Sequence, residues 1–352
     1  MNQNSYQLYE SFWYLNKQTN KTDMKTKLLA VMATLGMVAS ASAVKVNNNL
    51  SINGFIDGSY NSTDSTIGGV ASDEANIGLD EIELNFIVNA GNVSGELHLD
   101  TEDIDDDAAV SLEQVHFTYS FGNGASATVG RFNSALGLEG EDPAGLYTFS
   151  RAYSPIGGVA NPFNLGDIDN NGAQEGVRLS YSAGDFSGSF ALYDAITSSL
   201  EEVVGGAQVK DDLDYELALN YTGLDNITVG AGFQTDRAAG AGNDVEVYTV
   251  NATYTLNKLL IGAEYVNSET DGDGFDSAAY MVLADYDVND KLGVTVRYSN
   301  WETGATTDSD KLTFAPNYAI TDSLGAILEF SAEEASNGDE SDSFAVELTY
   351  TF

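Results

Sequence analysis

The sequence predicts an all-β protein, a transmembrane antiparallel β-barrel of about 16 strands with a long, inward-folded third loop. Three features predict it. From residue 49 to the C-terminus, apolar and polar residues alternate in segments of about ten, as strands with lipid on one face and water on the other require. The connections between these segments alternate between short and long. An export leader precedes the first segment, and no run of about 18 or more apolar residues follows it, so no transmembrane helix is expected.

The leader is read from residue types. Met24-Lys25-Thr26-Lys27 supplies a positive start, and Leu28 to Val38 is apolar but too short for a membrane-spanning helix. Ala41-Ser42-Ala43 then offers the small-x-small pattern that signal peptidase cuts. Residues 24–43 are therefore expected to be a signal peptide, and 44–352 the barrel. Residues 1–23 carry no targeting logic and read as an extension upstream of the natural start, with a long polar n-region as the alternative.

From Val44 onward the chain has ten lysines and arginines against 52 aspartates and glutamates, a net charge of −42. That balance excludes nucleic acid as a partner, because binding it needs a basic footprint. It suits divalent cations, a saline habitat or a cation-attracting surface. Cysteine is absent, which removes disulfides, thiol nucleophiles and zinc–cysteine sites together.

The last strand shows the alternation most cleanly. Phe344, Val346, Leu348, Tyr350 and Phe352 share one face, and Ala345, Glu347, Thr349 and Thr351 the other. Similarly, Leu213, Tyr215, Leu217, Leu219 and Tyr221 oppose Asp214, Glu216 and Asn220, and Ile82, Leu84, Phe86 and Val88 oppose Glu83, Asn85 and Asn89. Strands are expected near 49–60, 79–90, 93–102, 111–121, 125–132, 174–183, 186–196, 212–222, 227–236, 245–256, 259–267, 278–288, 291–301, 310–320, 324–333 and 343–352. Pro316 removes one ladder bond from its strand. Short turns such as Gly91-Asn92, Gly184-Asp185 and Asn257-Lys258 alternate with acidic loops at 61–77, 101–109, 197–211, 237–243, 267–277 and 302–309. Tyr254, Tyr286, Tyr318 and Tyr350 recur every 32 residues. With Tyr181, Tyr221 and Phe352 they are expected to form an aromatic girdle at the short-turn end.

The connection between Phe132 and Ala173 is much longer than the rest and holds Pro143, Pro155 and Pro162. A loop this long in a compact fold is functional or disordered. Its Tyr147, Phe149, Tyr153 and Phe163 suggest packing against the barrel interior.

Gly130-Arg131-Phe132 before this loop, Asp169-Asn170-Asn171-Gly172 and Gly176-Val177-Arg178-Leu179-Ser180-Tyr181 after it, and the closing Thr349-Tyr350-Thr351-Phe352 carry a resemblance. With the leader, the chain resembles the Gram-negative outer-membrane porins, more narrowly the OmpL-like β-barrel porins, over about residues 44–352. The resemblance implies a homotrimer with a water-filled pore per subunit and the third loop as constriction. It also implies that Phe352 ends the signal read by the barrel-assembly machinery. One departure stands out. General porins cluster several arginines opposite the loop, whereas this chain has five arginines after residue 43.

By the alternation, Arg131, Arg178 and Arg297 are expected on the lumenal face, with Glu139, Glu141, Asp142, Asp167 and Asp169 in the loop. They form either a constriction of opposed charges that sorts solutes or a set of anchors that neutralise lumenal acids. Arg151 is expected to pin the loop to the wall. Asp167-x-Asp169-x-Asn171-Gly172 opens like a calcium loop, but Arg178 stands where its twelfth-position glutamate belongs. An EF-hand is therefore excluded. A looser Ca2+ site there, or at the acidic runs 103–107 and 271–273, competes with plain solvated loops. His98 and His116 fall on the lumenal side without a visible nucleophile–base constellation, so no enzyme is expected. The expected function is passive diffusion of small hydrophilic solutes and ions across the outer membrane, with cation preference. The alternatives are a solute-specific channel and an acidic structural or adhesive barrel set among outer-membrane lipid and lipopolysaccharide.

Overall fold

The computed structural model describes residues 43–102, 110–139, 143–153, 173–193, 203–204, 207–208, 213–236, 245–270, 276–303 and 307–352. The expected extension and signal peptide lie outside them, as do Glu141, Asp142, Asp167, Asp169, Asn171 and the acidic runs 103–107 and 271–273.

Sixteen strands form the wall. The first half comprises β1 (Leu50–Ile67), β2 (Val70–Ala90), β3 (Val93–Glu102), β4 (Ser111–Gly122), β5 (Ala125–Asn133), β6 (Ala173–Ala183), β7 (Phe186–Tyr193) and β8 (Asp214–Leu224). The second half comprises β9 (Ile227–Asp236), β10 (Val245–Leu256), β11 (Leu259–Thr270), β12 (Ser277–Asp287), β13 (Leu292–Thr303), β14 (Thr307–Ala319), β15 (Leu324–Ala335) and β16 (Glu340–Thr351). Each pairs antiparallel with its sequence neighbours, and β16 pairs with β1 from Glu340↔Thr66 to Thr351↔Phe55, which closes the barrel. Closure leaves no strand edge unsatisfied, the condition for crossing a bilayer without helices. Phe352 extends that seam, exchanging backbone hydrogen bonds with Gly54 in both directions at 3.0 and 3.1 Å.

The two faces of the wall separate as the alternation predicts. On β8, Leu217 and Leu219 are exposed outward while Asp214 and Glu216 are buried inward; on β16, Leu348 and Tyr350 face out while Glu347 and Thr351 face in. At the short-turn end, Asn123, Asn226 and Asn257 take positive φ, a conformation asparagine tolerates better than most side chains. Pro316 pairs with Val294 on β13, but the β14–β15 ladder skips from Phe314↔Phe330 to Asn317↔Ile327. The missing donor interrupts one side only.

The expected girdle residues share one level. Tyr181, Tyr221, Tyr254, Tyr286, Tyr318 and Tyr350 each lie opposite the first residue of the preceding strand: Ala125, Phe186, Ile227, Leu259, Leu292 and Leu324. Tyr119 occupies the same level, opposite Val93. The spacing pattern misses it because the long loop between β5 and β6 sets it 62 residues from Tyr181.

One expected loop is corrected. Residues 61–77 are not an irregular acidic loop: β1 and β2 run on to Ile67 and Val70 around Gly68-Gly69, both at positive φ. Two such residues match a tight hairpin turn to the twist of its strands. Asp339 of the β15–β16 connection accepts a 2.6 Å hydrogen bond from the Gly68 amide. Residues 70–79 are exposed throughout, so no face is buried and the period-2 signal vanishes. β14 likewise begins at Thr307, inside the loop expected at 302–309.

Candidate functional site

The third connection leaves β5 and crosses the lumen, and its described parts, 134–139 and 143–153, lie against the inner wall. Its root is fixed first. Gly130, at positive φ, has no room for a Cβ, which would collide with the Val115 carbonyl oxygen. The backbone there turns Phe132 inward onto Tyr193 and Ala191. Arg178 stacks its guanidinium 4.3 Å from the Phe132 ring centroid and donates to the Asn133 carbonyl at 2.6 Å, to the Tyr193 hydroxyl at 2.9 Å and to Glu216 at 3.2 Å. Glu216 also accepts from Ser134 Oγ at 2.6 Å and from the Ala135 amide. Leu136 then passes over Gly232, where a Cβ would overlap its Cδ2.

Further along, Arg297 is the fastening. It is 1% exposed and donates to Glu139, to Thr148 Oγ1 at 2.7 Å, and to the Ser150 carbonyl at 2.7 Å and hydroxyl at 3.2 Å. Glu139 in turn accepts from the Ala152 amide at 2.7 Å. Glu329 accepts from the Ser150 amide at 3.0 Å, and Lys311 Nζ donates to the Arg151 carbonyl at 3.3 Å. One wall residue thus closes three contacts on a loop some 150 residues away in sequence.

Beside Arg297 the loop buries apolar groups. Leu138, Ala152 and Tyr153 pack with Val247, Val266, Ala279, Met281, Leu283 and Trp301, with Tyr147 against the cluster. Fully burying one large apolar side chain stabilises by about 1.5–3 kcal/mol, so this patch holds the loop as firmly as the hydrogen bonds do. Burial pushes the Tyr147 phenol up to about 12 and that of Tyr153 higher still. The sequence reading expects Tyr147 and Tyr153 against the barrel interior, where they lie, but treats lumenal wall positions as polar and misses the wall side of this patch. Its signal is the run Ala278-Ala279-Tyr280-Met281-Val282-Leu283-Ala284, apolar without alternation, which marks a strand covered on both faces.

The opposite wall, β1–β4 with β16, carries acids with no lysine or arginine in its strands. Asp57, Glu83, Asp100, Glu113 and Glu347 are buried on its inner face. Two β-bulges add to them. Asp80 is the extra residue where Asp57↔Glu81 is followed by Gly58↔Leu79, and Glu113 is the extra residue between Leu112↔Leu99 and Gln114↔His98. A bulge re-aims a side chain by breaking the alternation, and Glu113 and Gln114 consequently both turn inward. Asp80 Oδ2, Asp100 Oδ1 and Glu347 Oε2 are buried with no hydrogen-bond partner among the described residues. His98 sits among the glutamates, its Nδ1 3.0 Å from Glu83 and its Nε2 3.3 Å from Glu96.

Arg178, Arg297 and Glu139 therefore come together with the loop. Arg151 meets the wall through its backbone carbonyl. Arg131 is a correction. It pairs across the ladder with Val115 and Glu175, both exposed on the outer face, and donates to the Glu113 carbonyl at 2.8 Å. Inward-facing Phe132 sets the phase of β5 and puts Arg131 outside, where the alternation alone had placed it in the lumen.

A closed barrel with apolar outer faces, one wall covered by its own third loop and acids on the other, defines a strand-built membrane channel. The Gram-negative porin family model matches residues 28–352. The chain belongs to the Gram-negative porin family, and its place is the outer membrane. Comparison with curated proteins finds no match. Among solved structures, it is similar to an anion-selective porin from Comamonas acidovorans, with a TM-score of 0.66 at 13% identity over 86% of this chain and 99% of that one. OmpF of Salmonella typhi, in complex with daunomycin, gives 0.62 at 14%, over 88% and 100%. A loop-deletion mutant of the Vibrio cholerae outer-membrane protein OmpT gives 0.62 at 15%, over 86% and 99%. At such identities these likenesses establish the shared fold.

Proposed function

We propose that this chain forms a water-filled channel for passive diffusion of small hydrophilic solutes and ions, preferring cations, with the loop after Asn133 as its constriction. The observation that carries the preference is the inequality of the two walls. The terminal nitrogens of Arg178 and Arg297 and Nζ of Lys311 donate to the loop, although Nε of each arginine keeps no partner among the described residues. Asp80, Asp100 and Glu347 each keep one buried carboxylate oxygen that no donor among the described residues reaches, and no lysine or arginine stands in their strands. Carboxylates lining a lumen attract cations and repel anions. The anion selectivity of the Comamonas porin belongs to that protein.

Several expectations join this reading. Chains assemble as homotrimers, a form one similar structure, OmpT of Vibrio cholerae, is described in. The tyrosine level with Phe352 serves as the interfacial girdle, and the barrel-assembly machinery reads the β16 end. Lipid and lipopolysaccharide surround the barrel, and no catalysis is assigned. A solute-specific channel would present loop aromatics to the pore, but Tyr147 and Tyr153 are turned into the wall cluster, which favours the general pore. Liposome swelling with sugars of increasing size tests it. Uptake should fall smoothly with size. Uptake of one sugar alone would replace it with the specific channel, and no uptake with a structural barrel.

A further inference from the structure

The acids around His98 have the makings of a ligand set. Glu83 on β2, His98 on β3 and Glu113 on β4 each offer a donor atom, all within 4.8 Å of one another. Glu83 Oε1 lies 3.0 Å and Glu113 Oε2 3.9 Å from His98 Nδ1. Donors on one tetrahedral metal ion lie about 3.3–3.5 Å apart, given metal–ligand bonds of roughly 2.0–2.2 Å, so small rotations suffice.

Two further observations point to a cation. Asp100, directly opposite Glu83 on the ladder, is 5% exposed on this same lumenal face, and its Oδ1 has no hydrogen-bond partner among the described residues. The far side of the imidazole is also prepared. Nε2 lies 3.3 Å from Glu96, and a metal-binding histidine gives its other ring N–H to a carboxylate in this way.

Nδ1 faces the carboxylates. Gln114 Oε1 accepts from the Asn133 amide at 3.1 Å, which fixes the amide orientation; its Nε2 donates to Glu113 Oε1 at 3.1 Å and lies 3.3 Å from Nδ1. Glu83 Oε1 lies 3.0 Å from the same nitrogen. A cation between Nδ1 and Glu83 would be held by the ring lone pair and the carboxylate together.

We propose that the lumenal face of β2–β4 binds one divalent first-row transition-metal ion of the Zn2+ class through Glu83, His98 Nδ1 and Glu113, with Asp100 adding negative charge beside it and Glu96 orienting the ring. One imidazole nitrogen with carboxylates suits zinc, nickel or iron; calcium prefers six to eight oxygens and soft Cu(I) prefers sulfur. The β4 bulge makes the site, since without it Glu113 and Gln114 could not share the inner face. Because Glu113 also accepts from Asn133 Nδ2 at 3.2 Å, the metal sits beside the root of the third loop. The proposal stands apart from the channel reading, since a barrel that conducted nothing could still hold the ion.

The test uses the refolded full barrel in detergent, with ZnCl2 titrated in a large excess of Ca2+ to mask acidic loops. One Zn2+ per chain should bind saturably. Glu96→Gln should weaken it roughly 10–100-fold, and His98→Gln more than that. Co2+ in place of zinc should give a visible absorption band that His98→Gln abolishes, a readout that a purely structural histidine would not move. Both variants keep a side chain able to hydrogen-bond, and the heat-induced shift of the folded barrel on gels verifies folding. Should His98→Gln fail to fold, Glu113→Gln takes its place. Absence of saturable binding, or a Co2+ spectrum unchanged by these variants, overturns the proposal.

Discussion

The two inner walls of this barrel use charge in opposite ways. On β6–β15 three lumenal cations are matched: Arg297 meets Glu139 and Ser150, Arg178 meets Glu216 and Asn133, and Lys311 meets the Arg151 carbonyl. On β1–β4 and β16 acids crowd one another. Glu347 lies against Asp57, and Asp80 interacts with both. The first wall is arranged for stability, because it must hold a loop whose backbone would otherwise lie loose in the lumen. The second forgoes stability, a pattern common where a protein keeps groups for function. Burying a charge favours the fold only when a partner comes with it.

Substitutions should break this contrast in a definite order. Arg297→Met leaves Glu139 buried without its partner and frees the loop. It should cost about 3–5 kcal/mol, the usual penalty for splitting a buried pair, read as the urea midpoint of unfolding. Single-channel current should rise and become noisy; an unchanged midpoint and a quiet current would remove Arg297 from its role. Next, Gly232→Val forces its side chain into Leu136 and should destabilise by about 1–3 kcal/mol through overpacking, with altered current amplitude. Glu347→Gln sharpens the comparison from the other wall. It removes an acid packed against Asp57 and gives that carboxylate an amide donor, and should stabilise the barrel by about 1–3 kcal/mol, while weakening cation preference. A loss of stability there would mean that the acidic wall is as well matched as the loop wall.

The smallest effects lie on the outside. Tyr221 packs 4.5 Å from Phe186, and Tyr119 5.1 Å from Phe121. Changing either tyrosine to leucine should cost about 0.5–1.5 kcal/mol, the worth of an aromatic pair beyond its area. Equal losses at the two would place Tyr119 in the same level as the residues its spacing conceals.

Much of this was legible in the sequence, and the failures share a cause. Alternation located sixteen strands because lipid and lumen impose opposite demands on adjacent residues. It failed at Ala71–Ile77, where both faces of the hairpin meet water. It failed again at Met281 and Leu283, where the loop covers the inner face. At Arg131 and Glu113 it gave the wrong face or none, because packing of Phe132 and a bulge reset the phase over a few residues. Arg297 was placed correctly on the inner face, but nothing local said that its partners would be Glu139 and Ser150.

The claim that the acidic wall governs traffic, with the cations spent on the loop, is open to one direct measurement. Zero-current potential across a planar bilayer holding the channel in a KCl gradient reports which ion crosses more readily. The account predicts the sign for K+ over Cl−, moving toward zero in Glu347→Gln. A potential of the opposite sign, or none, would contradict it.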